Sequence, residues 1–518
     1  MSASAIFALC ILAMLIVALI RDRMRPGIAM LTGSVIFLCA GILTPKEMLE
    51  GFSNKGMITV ALLYLVSEGI RRSNILEKIL HVLLPKKGKN VRKIQARMLP
   101  VVAGISAFLN NTPVVVIFAP MIKRWADKVG MPATKFLIPL SYATILGGMC
   151  TLIGTSTNLV VHGMIINADF EGFTMFELGK VGVFIAIAGL IYIIVAGKWL
   201  LPDRREEDAE SAEDEAHTGR YHHYEVILSA RFPAIGKRIN EIDFRRKFGA
   251  SIMEVRRRGE VVIMKDMRGK RYKEGDSLLL MADDNFRKNW GDSSFFLLVS
   301  GNEGKEEKMS PLKRWISLTL LVLMVVGATV GEIPSVREAF PKVHLDMFFF
   351  ASVVTVVMAW MNIFPARKYT KYISWDIVVT IASAFAISKA MINSGVADAI
   401  AEFAIGLTDS YGPYILLAVI FIITNLFTEL MTNNAAAALA FPISLSIAQH
   451  LGVDPTPFFV TICMAASSSF CTPIGYQTNL IVQGVGGYKF IDFIRFGLPL
   501  NIISLIISVT LIPVFWPF

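Results

Sequence analysis

Cys150-Thr-Leu-Ile-Gly-Thr-Ser-Thr-Asn-Leu-Val-Val-His-Gly163 and Cys471-Thr-Pro-Ile-Gly-Tyr-Gln-Thr-Asn-Leu-Ile-Val-Gln-Gly484 agree at nine of fourteen positions, at a constant offset of 321. Upstream of each copy lies an asparagine pair followed by proline: Asn110-Asn111-Thr112 with Pro120, and Thr432-Asn433-Asn434 with Pro442. Aligning Asn111 with Asn433 gives an offset of 322, and further upstream Ser67 and Ser73 fall on Ser388 and Ser394, again 321 apart. Three registered matches indicate a duplication. Within apolar sequence, a duplication predicts two membrane halves with the functional site where they meet.

The 518 residues are 54% hydrophobic and only 18% charged, with a mean hydropathy of +0.57. Soluble chains carry about a quarter charged residues, so this composition reads as a polytopic membrane protein. The net charge of +10 raises nucleic acid as a partner, but the bases cluster in short loops between apolar spans, where they set orientation. No nucleic-acid partner is expected. Cys10, Cys39, Cys150, Cys463 and Cys471 lie in apolar stretches, and their odd number argues against a disulfide framework. Residues 1–20 lack a basic leader, and Arg21, Arg23 and Arg25 follow the apolar run. This pattern predicts a first spanning helix with its N-terminus outside.

Apolar spans fall near 3–20, 27–43, 56–70, 135–166 and 180–201, and again near 312–331, 346–364, 374–393, 456–483 and 496–516. Five crossings per half put the second copy into the bilayer upside down. Loop charge agrees: residues 71–97 hold nine Lys or Arg and one acid, whereas 167–179 carry Asp169, Glu171 and Glu177 with no base. Both termini then lie outside a cell inner or plasma membrane, and residues 202–308 are cytoplasmic. Two further apolar stretches, 98–121 and 411–445, carry the Asn motifs near their middles and read as re-entrant hairpins. The expected fold is an α-helical polytopic membrane protein, an inverted repeat of two five-helix halves, each with a re-entrant hairpin, plus a small cytoplasmic α/β domain. The boundaries are 1–201 for the first repeat, 202–218 for an acidic linker, 219–300 for the α/β domain and 301–518 for the second repeat. Within the α/β domain, residues 223–230, 251–256, 260–264 and 277–282 read as strands, Arg258-Gly259 as a hairpin turn and 235–247 as a helix.

Amide and hydroxyl side chains with unwound carbonyls are hard oxygen ligands for a small cation, and half-helix N-termini present free N–H groups to an anion. Residues 98–121 and 414–444 contain no Lys or Arg, and their one charge is Glu429. A buried anion without a counter-charge is costly, so bound sodium would supply the positive pole. The pattern reads cation first, anion second. Glu429 fits either a proton relay or a group that orients the hairpin tip, and the second reading is favoured. Glu68, Asp376 and Lys389 sit near span ends and are expected to pair or snorkel. No HExxH, Walker A or nucleophile-elbow arrangement occurs, so no enzyme is expected. The absence of a filter sequence such as Thr-Val-Gly-Tyr-Gly weakens a gated channel.

On these paired motifs the chain resembles the divalent anion–sodium symporters, which carry a Ser-Asn-Thr triplet at each of two hairpin tips. The resemblance implies sodium as coupling ion, no other cofactor, a homodimer, and a small anionic substrate held by Asn110, Asn111, Thr112, Thr432, Asn433, Asn434, Thr155 and Tyr476. One sodium site would use Ser106, Asn110, Asn111 and Gly154. The other would use Thr428, the Met431 carbonyl, Asn433 and Gly475. Where family members have Thr-Pro-Pro-Asn, this chain has Thr155-Ser-Thr-Asn158 and Tyr476-Gln-Thr-Asn479, and Pro113 follows the first triplet. A tyrosine facing the cavity would shrink it, which favours sulfate over a four-carbon dicarboxylate. The insert resembles TrkA-C lobes of potassium-conductance regulators at Ala234-Ile-Gly-Lys-Arg-Ile-Asn-Glu-Ile242, Arg256-Arg-Arg-Gly259 and Gly269-Lys-Arg-Tyr-Lys-Glu-Gly-Asp276. Such lobes pair, and some bind cyclic dinucleotides. Arg245, Arg246, Lys247 and Arg256 to Arg258 would be the phosphate contacts, and the His222-His223 pair carries little metal-binding signal.

Overall fold

The structure, a computed structural model, describes residues 2–21, 24–85, 90–203, 222–241, 243–257, 260–262, 271–282, 286, 290–291, 293, 295–301, 309–340, 343–408 and 412–518. Six described helices are long and apolar enough to cross a membrane: Ala3–Ile20, Gly179–Leu200, Pro311–Gly331, Trp375–Ser394, Pro413–Leu430 and Phe490–Phe515. Pro26–Cys39 and Met347–Trp360 are shorter, at 14 residues each. Some starts are capped by side chains, whereas others, such as Pro26–Cys39, Leu137–Gly148 and Trp375–Ser394, are not. Asn54 Oδ1 accepts from the Gly56 and Met57 N–H groups at 2.7 and 3.3 Å, and Asp346 Oδ1 accepts from Phe349 N–H at 2.9 Å, which satisfies amides that the first turn leaves without partners.

Each Asn stretch is two helices with a break. Val91–Ser106 leads to Asn111–Val129, and Pro413–Leu430 leads to Asn433–Leu451. The arms of each pair pack on one another. Pro113 falls in the first turn of its helix, where a missing N–H costs nothing. The apolar spans 135–166 and 456–483 are each broken, into Leu137–Gly148 with Ser156–Asn167 and Thr456–Ser467 with Gln477–Gly486.

The repeated letters hold these splits open. Asn158 Nδ2 donates to Thr151 O at 2.9 Å, and Asn479 Nδ2 to Thr472 O at 3.1 Å. Gly154 N–H donates to Thr151 Oγ1 and Gly475 N–H to Thr472 Oγ1, at 3.1 and 3.4 Å. The threonine hydroxyls reach back to Ala107 O and Glu429 O. A buried carbonyl left unpaired is expensive, so a Thr and an Asn recur wherever the helix unwinds.

Between the halves, β1 (His222–Leu228), β2 (Ala250–Arg257), β3 (Glu260–Val262), β4 (Ser277–Ala282) and β5 (Phe296–Gly301) form one sheet in the order β3-β2-β4-β1-β5, every pairing antiparallel. Arg257 pairs with Glu260 on either side of the expected turn Arg258-Gly259, which lies outside the described residues, as do most of the acidic linker, Gly269 and residues 263–264. Two expectations are corrected. Residues 235–247 do not form one helix: Ile235 bridges to Tyr272, and only Ile239–Glu241 and Phe244–Phe248 are helical. The reason is the paired backbone at Gly236, whose N–H donates to Tyr272 O at 2.9 Å and whose φ is +81°. The fifth strand went unread because Phe296–Gly301 adjoins the boundary set at 300, although its apolar run was visible.

The Gly275-Asp276 motif has a structural explanation. Buried Asp276 accepts from Arg257 Nε at 2.7 Å, from Arg257 Nη2 at 2.6 Å and from Lys273 N–H at 2.9 Å. The carboxylate holds the Arg257 guanidinium above its ordinary value. Arg256 pairs with Glu254. Arg256 and Arg257, two of the residues expected as phosphate contacts, are thus engaged within the sheet.

Candidate site between the two helix breaks

Four helices begin at the breaks, with Asn110, Thr155, Thr432 and Tyr476 as their N-cap residues, and none of the four has a side-chain cap. Elsewhere Asn54, Asn90, Ser310 and Asp346 do that work. Uncapped N-termini present unpaired N–H groups and the positive end of the helix dipole.

These starts converge. Tyr476 Oη lies 3.1 Å from Thr155 Oγ1. The two residues are 321 apart and occupy equivalent places in the repeated motif. Asn433 and Asn111 lie close to the same hydroxyl. Asn111 and Asn433 are therefore brought to one place. A reciprocal pair of contacts flanks it: Asn434 Oδ1 accepts from Ser156 Oγ and Thr157 Oγ1, both at 3.2 Å, and Thr112 Oγ1 stands 3.5 Å from Gln477 Oε1. Each hairpin tip thus engages the broken helix of the other copy.

Three of the residues expected at the first sodium site assemble. One terminal atom of the buried Asn111 carboxamide stands 2.8 Å from Ser106 Oγ, 3.3 Å from Gly154 O and 3.1 Å from Thr144 O. As a nitrogen it donates to all three. As an oxygen it completes a cage of four uncharged oxygens, the donor set a small hard cation takes. Asn110 occupies the N-cap position of its helix, and its side chain makes no cap hydrogen bond there. Gly154 is obligatory here, since a Cβ would stand 2.6 Å from Gly148 O.

At the second tip, Ser469 Oγ donates to Thr428 O at 3.3 Å and lies 3.3 Å from Glu429 Oε2, while Thr428 Oγ1 donates to Ala466 O at 2.7 Å. A Cβ on Gly475 would fall 2.0 Å from Ser469 Oγ and 2.3 Å from Thr428 O. Met431 is the extended residue of the break, and the Thr432 hydroxyl has no partner. Glu429 Oε1 accepts from Cys471 N–H at 2.7 Å and from Asn501 Nδ2 at 2.9 Å. It orients the broken helix rather than the start of its own hairpin's second arm. Sequence reasoning missed Thr144, Ser469, Ser156 and Gln477. The Ser467-Ser468-Ser469 run was the available signal for one of them.

Paired broken helices meeting at neutral oxygen clusters inside a multi-pass helical bundle are the architecture of a membrane carrier. The sequence profile of the citrate transporter family, CitMHS, matches residues 15–444 and 340–517, and the chain belongs to that family. Its relatives include the uncharacterized transporter sll0640 of Synechocystis sp., 31% identical across 91% of this chain and 90% of that protein. The uncharacterized transporter YfbS of Escherichia coli is 24% identical over the whole of both chains. Sodium/sulfate cotransporter 1 of Chlamydomonas reinhardtii is 31% identical over 50% of this chain and 29% of its own length.

Proposed function

We propose that this protein is a sodium-coupled secondary symporter importing a divalent anion, with sulfate the substrate that fits best. The observation that carries the reading is the gathering of four uncapped helix N-termini around the Tyr476 hydroxyl, beside the stretches 98–121 and 414–444, which hold no Lys or Arg. Their N–H groups suit an oxyanion. The oxygen clusters at Asn111 and at Thr428 and Ser469 suit the cations that would neutralise it. The Thr155–Tyr476 contact narrows the space between the copies, which favours a compact tetrahedral anion, in keeping with the name of the sodium/sulfate relative. In this reading the two halves are inverted, the sheet is cytoplasmic and TrkA-C-like, the carrier is a homodimer, and the site-bearing helices move against the rest in alternating access.

The family's description as citrate transporters supports a second reading, a sodium-coupled carboxylate carrier. Counterflow in proteoliposomes across sulfate, thiosulfate, phosphate, succinate and citrate, each with and without sodium, separates the two. Sodium-dependent sulfate exchange is expected. Exchange of succinate or citrate alone gives the site to carboxylates, and exchange indifferent to sodium removes the coupling.

A further inference from the structure

The sheet is attached to two different groups of helices. In one group Pro26–Cys39 packs on Trp375–Ser394, and Lys55–Arg72 packs on Met347–Trp360. The other group carries the site: Asn111–Val129, which starts at Asn111, and Gln477–Gly486, which starts after Tyr476, both packed on Leu137–Gly148.

On the site-bearing side, Lys123 Nζ stands 3.2 Å from Glu225 Oε2 of β1, an ion pair largely sheltered from solvent, and β5 lies against the same helix. Gly275, with φ +79°, sits so close to Leu480 that a Cβ would be 2.7 Å from its Cδ1. A Cβ on Gly484 would be 3.1 Å from Ile227 Cδ1. The turn at Gly275 and the helix Gln477–Gly486 therefore come close, a Cβ on Gly484 also standing 3.4 Å from Gly275 O, and Ile227 is buried in the same apolar core as the membrane helices. On the opposite side, Arg25 Nη2 donates to Ala230 O at 3.2 Å. Arg25 is the N-cap residue of Pro26–Cys39, and two residues on, Gly27 N–H is held by Asp376 Oδ1 at 3.2 Å. The next residue of the sheet loop, Arg231, is half-buried beside Arg25, Asp376 and Tyr64. Burial pushes its guanidinium below the ordinary value, Arg25 adds to that shift, and Asp376 and Tyr64 oppose it.

We propose that the sheet is a brake on transport, a rigid clasp that bonds to both helix groups and holds them in the single relative position seen here. This rests on the alternating-access reading given above. Contacts present in one arrangement and absent in the other stabilise the first by their full free energy and reduce the population of the second accordingly. The Lys123–Glu225 pair, the Gly275–Leu480 and Ile227–Gly484 contacts and the Arg25–Ala230 bond cannot all survive a sliding of one group past the other. Movement therefore requires the sheet to release at least one side, and whatever pulls the sheet away speeds the carrier.

Variants of the full-length protein in proteoliposomes and one transport-independent measurement test this. In Ile227→Cys with Gly484→Cys, the oxidised pair keeps the sheet on the site-bearing helices and leaves release of the Arg25–Ala230 side as the route to movement, so adding Arg25→Ala to the oxidised pair is expected to raise sodium-driven uptake at least about twofold. Each single-cysteine variant controls for the native thiols, and an oxidised, cross-linked pair whose uptake Arg25→Ala leaves unchanged overturns the brake. Glu225→Gln keeps an acceptor for Ser277 Oγ, which donates to Glu225 Oε1 at 3.1 Å, while weakening the pair to Lys123. It is expected to raise the initial uptake rate roughly two- to fivefold, and an unchanged or lower rate counts against the proposal. Hydrogen exchange of the same variant in lipid nanodiscs is expected to quicken at residues 111–129 and 477–486. Unchanged exchange overturns the clasp whether or not any anion is carried. Quickened exchange in a protein whose unmodified form moves none of the five anions instead overturns the transport reading and leaves the clasp standing.

Discussion

The tips of the two copies are built from the same bonds and differ in one charge. In both, a threonine hydroxyl from the broken helix reaches back to the carbonyl of the residue following the tip's Ser106 or Thr428. In the first copy that residue is Ala107, and in the second it is Glu429. The first tip is an uncharged cluster of Ser106, Asn111, Thr144 and Gly154, whereas the second has a buried carboxylate one hydroxyl away, through Ser469. A cation taken from water into each loses similar hydration, but only at the second does a nearby negative charge offset that loss. The repeated motif thus gives both tips the same bonds, and Glu429 in the place of Ala107 sets the second apart.

The most damaging change removes the geometry itself. Gly475→Ala places a methyl carbon within 2.3 Å of Thr428 O, and uptake is expected to fall at least about a hundredfold while the protein still inserts, since the clash is confined to the site. Retained uptake in Gly475→Ala alongside loss in Gly154→Ala would reverse the ranking of the two tips. Next, Glu429→Gln is expected to raise the sodium concentration for half-maximal uptake about tenfold, as for loss of roughly 1.4 kcal/mol of attraction. Glu429→Asp should recover part of it. A sodium dependence unmoved by Glu429→Gln would show that the charge serves packing alone.

Asn111→Ala and Asn433→Ala probe the comparison from the neutral side. Asn111 is tied to three partners and Asn433 faces the shared space. Asn111→Ala should cost about 1–3 kcal/mol of thermal stability through unmet buried polar groups, whereas Asn433→Ala should mainly raise the KM for the anion. The smallest effect is expected at the contact that joins the copies. Tyr476→Phe and Thr155→Val each remove one end of a single hydrogen bond, so a double-mutant cycle on anion affinity should give a coupling of about 0.5–1.5 kcal/mol. Full additivity would mean that the two residues act separately.

Much of this was legible before any coordinates. Thr151, Gly154 and Asn158 repeat as Thr472, Gly475 and Asn479 because a broken helix inside a membrane has the same carbonyls to satisfy in either half. Ser106, Asn111 and Gly154 could be grouped in advance for the same reason. Asn434, expected among the substrate ligands, has its oxygen engaged by Ser156 and Thr157, contacts that the sequence did not indicate. Spacing within one strand of sequence carries no information about which side chain of the other copy will face it. Likewise Arg256 and Arg257 read as a free basic run until Glu254 and Asp276 closed on them.

What the sequence determined by itself was the local and the periodic: apolar spans, breaks where Asn, Gly and Pro interrupt them, a duplicated site motif and an inserted sheet. These follow from bonds and burial that each segment must satisfy with its near neighbours. Only the tertiary structure decided that Tyr476 meets Thr155, that Glu429 steadies the break at Cys471, and that the sheet rests on both helix groups at once. Those contacts join residues from 42 to 321 positions apart, and their partners are chosen by packing of the whole chain, which no local pattern encodes.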